Sequence, residues 1–249
     1  STEDELRKIK EELEDIRRRI EELDKKDNED LDRIDEEIKR RLDKNIRDLD
    51  EIAKEVRKRR QDKDLLKEIV ERLAEVLRHH VRVTADVVRL LAEVLKHNNE
   101  LLKEAVRLLT ELLRKILKVL KDAGKPEDEV RKLKEELEEI ERRLRELVER
   151  NRRLSEELIR RAEKNVEDVR KKVEDLIREA EEVVKANLPK EELAEITERL
   201  LKKYREVAEE NMRSLKELLR EYREVNTRTH KALERIIDRI REILEKVRK

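Results

Sequence analysis

Across 249 residues the chain carries one glycine, Gly124, and two prolines, Pro126 and Pro189. Gly and Pro are the residues that punctuate turns, so a chain this poor in them has room for few. All three fall in the two clearest breaks, "KDAGKPEDE" and "KANLPKEE". Gly124 stands where a helix C-cap belongs and Pro126 where the next helix begins, and Asn187 and Pro189 take the same roles in the second break. A weaker break, "RKRRQDKDLL", offers Asp62 or Asp64 as an N-cap. Thr2 and Glu5 have the spacing of a capping box. These marks divide the chain into helices near 2–60, 64–122, 126–186 and 189–249, each about 60 residues and so about 90 Å long. The polar run "DKKDNED" at 24–30 is the one rival turn, because Asp and Asn are poor helix formers.

The apolar spacing is helical. Leu6, Ile9, Leu13, Ile16, Ile20 and Leu23 step by three and four, as do Leu133, Leu137, Ile140 and Leu144. Narrow seams of this kind match coiled-coil a and d positions. The fourth helix has a wider face, with Leu200, Leu201, Tyr204, Val207 and Ala208. The second is wider still, through "LLKEAVRLLTELLRKILKVL". The expected fold is therefore all-α: an up-down-up-down four-helix bundle with coiled-coil-like packing, one domain over 1–249.

Charge narrows the partners. Acidic and basic residues are equal in number and alternate along every segment. Disordered chains are poor in hydrophobes and usually carry net charge, so the regular apolar seams speak against disorder. Nucleic-acid binding needs a basic stripe, and single-strand binding adds aromatic platforms; two Tyr with no Phe or Trp do not supply them. No apolar run approaches the length that spans a bilayer, and no signal peptide is visible. Without Cys, no disulfide or thiolate chemistry is open and no redox compartment is legible.

Some seam positions are polar. In an antiparallel bundle, residues equidistant from a turn share a level. Asp27, Asn98, Asn151 and Asn226 share one level by that rule. Asn45, His80, Thr84, Asn165 and Asn211 share a second, about 27 Å away along the second helix. Asp27 inside the bundle favours a continuous first helix over a turn at 24–30. A slipped helix would leave such groups unpaired, so buried polar layers fix register while adding little net stability. They also account for the polar step His97-Asn98-Asn99 within an apolar helix.

Near-equal idealised helices, Glu/Lys/Arg surfaces, minimal loops and discrete polar layers together resemble computationally designed helical bundles with buried hydrogen-bond networks. The resemblance covers the whole chain and rests on style rather than on a motif. It implies an engineered scaffold, assembly subunit or switch part, with no native substrate and no native compartment.

Chemistry-bearing constellations are sparse. His79, His80, His97 and His230 do not converge by level, and the Glu-x-x-His pairs of di-metal bundles are missing, so neither a metal nor another cofactor is expected. Ser155 and Ser214 lack a His at their level, and no Gly-rich phosphate loop exists. Tyr204 and Tyr222 are expected at the core edge with hydroxyls reaching the polar layers. The chain is expected not to be an enzyme, and a natural coiled-coil rod fits less well because such rods retain scattered Trp, Phe, Cys and Met.

The leading expectation is a structural scaffold or self-assembling subunit; the alternative is a closed monomer serving as a helix-binding or switchable module. The excess width of the second helix lies in Val76, Val83 and Leu90 on one flank and Val106, Leu113 and Leu120 on the other. An exposed patch of that length invites association. A homo-oligomer through helix 64–122 is therefore expected, with His97 and Asn99 placed to extend a network into a neighbour. A monomer in which the second and fourth helices each touch three neighbours explains part of the same asymmetry.

Overall fold

The computed structural model describes residues 1–249. It is helical almost throughout, with no strand: α1 (Thr2–Glu37), a π-helical turn (Ile38–Leu42), α2 (Asp43–Lys58), α3 (Lys63–Asp122), α4 (Glu127–Lys185) and α5 (Lys190–Arg248). α1, the π turn and α2 follow one another without a break, so the chain forms four long helices. The polar run 24–30 is helical and not a turn.

The helix ends follow from local chemistry. Asp62 caps α3, its Oδ1 accepting the backbone N–H of Leu65 at 3.1 Å. Gly124 has φ +66° after α3, and Asn187 has φ 48° after α4; both are left-handed positions that end helices at low cost for these residue types. At the amino end, Ser1 and not Thr2 is the cap. Its Oγ accepts from the Asp4 N–H at 3.4 Å, because α1 already begins at Thr2.

The π turn has a cause in the seam. Leu6, Leu13, Ile20, Asp27 and Ile34 recur every seven residues, and so do Leu42, Leu49 and Val56, but eight residues separate Ile34 from Leu42. A π turn takes up one residue more than an α turn. It thus returns the seam to the core, and Ile38 and Leu42 are both fully buried.

The chain divides into two compact units. Unit 1 comprises Ser1–Asp30, Val94–Glu157 and Glu221–Lys249, and unit 2 comprises Leu31–Glu93 and Leu158–Arg220. The core of unit 1 takes Leu13 and Ile20 from α1, Leu109 and Ile116 from α3, Leu137 and Leu144 from α4, and Leu233 and Ile240 from α5. The core of unit 2 takes Leu49 and Ile52 from α2, Leu66 and Leu73 from α3, Val169 and Val173 from α4, and Leu200 and Tyr204 from α5. Truncating one such Leu to Ala costs about 2–5 kcal/mol, so these cores carry most of the stability.

Ion pairs cover the surface. In unit 1 Lys115 meets Glu12 at 3.0 Å and Arg239 meets Glu136 at 3.2 Å. In unit 2 Arg41 meets Asp86 at 3.3 Å and Arg72 meets Glu55 at 2.8 Å. Exposed pairs of this kind are worth about 0–1 kcal/mol each. No helix is long and apolar enough to cross a membrane.

Candidate functional site

Each unit encloses a cluster of polar side chains. Unit 2 holds the more completely bonded one. His80 and Thr84 lie one turn apart on α3, and Thr84 returns its hydroxyl to the His80 carbonyl at 2.8 Å. From α5, the side-chain amide of Asn211 reaches the Thr84 Oγ1 at 2.8 Å and the His80 Nε2 at 3.0 Å. Asn165 on α4 donates to the Asn211 Oδ1 at 2.7 Å. Three helices are therefore joined through one asparagine. Because Asn211 presents a donor to Nε2, that nitrogen is the acceptor and the neutral ring carries its proton on Nδ1. Burial, followed by the neighbouring His79, pushes the His80 pKa down to about 4. Asn45 is buried as well, but its Nδ2 finds no partner. Tyr204 donates its hydroxyl to the Leu176 carbonyl at 3.0 Å and does not join the cluster.

Unit 1 holds a looser set. Asp27, Asn98, Asn151 and Asn226 are all at most 5 % exposed, yet none bonds directly to another of the four. Asn98 donates to the Tyr222 hydroxyl at 3.4 Å. Asn151 donates to the Asn99 Oδ1 at 2.5 Å, an oxygen that also accepts from Ser155 at 3.2 Å. Thr229 donates to the Asn151 Oδ1 at 3.3 Å. Asp27 is faced by His230, whose Nε2 lies 3.4 Å from its Oδ2 and 3.7 Å from the Oδ1 of Asp24. The expectation of one mutually bonded layer is thus replaced by three smaller groups. Distance from a turn fixes a residue's height but not its direction around the helix, and an asparagine is too short to correct a wrong direction.

Electrostatics follow burial. Desolvation raises the Asp27 carboxyl above its usual range, against the opposing effect of His230. Burial also raises the Tyr222 hydroxyl, with Asp27 adding to the rise and Asn98 and Asn226 opposing it. Four buried atoms of this cluster have no partner, Asp27 Oδ1, Asn98 Oδ1, Asn226 Nδ2 and His230 Nδ1, against two in unit 2, Asn45 Nδ2 and His80 Nδ1. An unsatisfied buried polar atom costs about 1–3 kcal/mol, which makes this cluster the less stable of the two.

From the sequence, Asn99 is expected to face a neighbouring subunit, Ser155 and His230 are weighed only for catalysis and metal binding, and Thr229 is passed over. Thr229 and His230 stand three and four residues beyond Asn226, and Ser155 four beyond Asn151. Helical neighbours at that spacing share a face, and that was the available signal.

The stripe expected to form an oligomer face is not an exposed patch. Val83, Val106, Leu113 and Leu120 are buried against their own chain, Val76 and Leu90 are half-buried, and no large hydrophobic side chain is exposed. The width of α3 is used internally: it contacts α1 through Lys115–Glu12, α4 through Asn99–Asn151 and α5 through Asn98–Tyr222. Asn99 is engaged within the chain, and His97 is exposed with no cluster around it.

These clusters offer little to chemistry. No group of three or more His, Cys, Asp or Glu side chains is placed to hold a metal ion. Ser155 donates to an amide oxygen, not to a base. The surface grooves are lined by charged helix faces, such as Glu129, Lys132, Glu135 and Arg143. Comparison with known proteins finds no matching family model, no similar curated protein and no similar solved structure.

Proposed function

We propose that the chain is a non-catalytic structural scaffold, an idealised bundle of the designed kind, whose buried polar clusters set helix register. In this reading the helices run up-down-up-down with coiled-coil-like packing. Support comes from the pairing of charges. In unit 2, Arg41 meets Asp86 whereas Glu55 meets Arg72, so numbers fall along α3 as they rise along the first helix. In unit 1, Asn151 meets Asn99 whereas Glu141 meets Arg114, the same relation between α3 and α4.

The observation that carries the reading is the use made of buried polarity. The strongest bonds in the unit 2 cluster join different helices, through Asn211, and half-buried Asn165 lines a surface groove beside them. A helix displaced along its axis would lose them and strand several buried amides, at about 1–3 kcal/mol each. Apolar contacts alone discriminate registers far less sharply. The test is to replace Asn165, Asn211, His80 and Thr84 together by apolar residues. The scaffold reading expects a folded, stable chain with less uniform register.

A self-assembling subunit built through α3 is the second reading. It draws on half-buried Leu90, Leu101 and Leu108, which leave part of that helix open to a neighbour. A self-contained chain draws on the absence of any exposed large hydrophobic and is the better supported. Light scattering at micromolar concentration separates them: one-chain mass favours the closed bundle, and a multiple of it favours assembly. In either case we propose no nucleic-acid, membrane or small-molecule partner.

A further inference from the structure

The two units bury their histidines in opposite company. Among the buried polar residues of unit 2 are Asn45, His80, Thr84, Thr197 and Asn211, and none is an acid. His80 is bonded by the uncharged Asn211 of α5, which is held in turn by Asn165 of α4; Asn45 is the polar residue α2 buries in this unit. The one titratable group acting on His80 is His79, a like charge once protonated. Unit 1 buries His230 together with Asp27 and Asp30. From α1, Asp27 and Asp24 face the His230 Nε2 at 3.4 and 3.7 Å, while the polar residues that α3 and α4 bury there, Asn98, Asn151 and Ser155, are uncharged.

A protonated imidazole has two donors and no acceptor. In unit 2 a proton on Nε2 would point at the Asn211 donor, breaking that bond and leaving a buried cation unpaired. In unit 1 the Nε2–H already points at two carboxylates, so a proton added at Nδ1 makes a cation that stays paired through Nε2, although Nδ1 itself has no partner. We propose that the fold contains an acid-sensitive switch: mild acid opens unit 2 at the His80–Asn211 contact while unit 1 stays closed around His230 and Asp27. The folded value near 4 for His80 sets the working range between that value and about 6.5, where the unfolded ring titrates.

The test is amide hydrogen exchange of the full chain at pH 7.5 and 5.0, corrected for intrinsic rates. Protection in 63–93 and 158–220 should fall by about thirtyfold at pH 5.0, with 1–30, 94–157 and 221–249 retaining theirs. His80→Gln keeps an acceptor toward Asn211 and should abolish the fall. Asn211→Asp gives the ring a carboxylate and should reduce it to less than about threefold, a second route should the first variant fold poorly. Equal loss in both units, earlier loss in unit 1, or an undiminished fall in both variants would overturn the switch. The inference rests on His80 being enclosed as the register reading requires. Native protection at pH 7.5 with no acid response defeats the switch alone, whereas rapid exchange around 204–215 already at pH 7.5 defeats both.

Discussion

Asn211 holds its side-chain amide 3.0 Å from the Nε2 of His80 while its carbonyl oxygen accepts from Asn165 at 2.7 Å, so a single α5 residue ties α3 to α4. Both ends of one amide are used, and three side chains, His80, Thr84 and Asn165, bond to it. Asn211→Leu should therefore cost more than the loss of one bond. It strands the His80 Nε2 and removes the partner of Asn165, while Thr84 keeps its bond to the His80 carbonyl, an expected destabilisation of about 2–4 kcal/mol, given about 1–3 for each unsatisfied buried group. Urea unfolding at pH 7.5 measures it. Replacing all four members by apolar residues should be neutral or stabilising, so the quadruple variant should exceed the single one in stability.

Acid should weaken the protein through the same residue. The folded His80 value, about 4, lies below the unfolded value of about 6.5. Between those limits the unfolded chain binds the proton and the folded chain does not, so stability is present above 6.5 and is lost as pH falls toward 4. By pH 5 the loss is about 2 kcal/mol. The urea midpoint should fall accordingly, and His80→Gln should hold it nearly constant over that range.

Asp27 carries the opposite sign. Its folded value is raised, chiefly by desolvation. A raised carboxyl contributes stability that is present below the unfolded value and is lost as pH rises through the folded one. At pH 7 the ionised Asp27 is thus a burden relative to a neutral amide. Asp27→Asn should be more stable than the parent at pH 7, with the advantage gone below about pH 3.9, the unfolded carboxyl value. Paired denaturation curves at the two pH values show it directly.

The π turn predicts an unusual tolerance. Eight residues separate Ile34 from Leu42, one more than the heptad requires. Deleting Lys39 restores a step of seven and should leave stability within about 1 kcal/mol, because an α turn can then replace the π turn. Deleting Lys10 from the regular part of α1 rotates every preceding seam residue by about 100°. That deletion should cost several kcal/mol, on the scale of losing buried Leu and Ile side chains. Comparing the two deletions by urea unfolding checks the assignment.

Much of this was legible in the chain itself, and the limits are physical. Gly124, Pro126, Asn187 and Pro189 placed the helix ends to within two residues. Asn165, Asn211, His80 and Thr84 stand at one height by their distance from the turns, and all four share bonds in the structure. For Asp27, Asn98, Asn151 and Asn226, height was legible but bonding was not, because direction around a helix depends on packing against three others. His230 was set aside on level alone, although its longer side chain reaches Asp27. The eight-residue step before Leu42 was open to inspection and marks the π turn. The apolar excess of α3 was plain, but its use was not: a wide face serves three internal neighbours as readily as a second subunit.

If buried polar clusters fix helix register, one distance across unit 2 must depend on them. The chain has no cysteine, so Glu71→Cys on α3 and Arg199→Cys on α5 place two spin labels at exposed sites of unit 2. Electron spin distance measurements then compare the parent with the variant carrying apolar residues at His80, Thr84, Asn165 and Asn211. A slip of one heptad moves a label by about 10 Å along the axis. The parent should give a single narrow distance and the apolar variant a broadened or multiple distribution. An equally narrow, unshifted distance in both would contradict it.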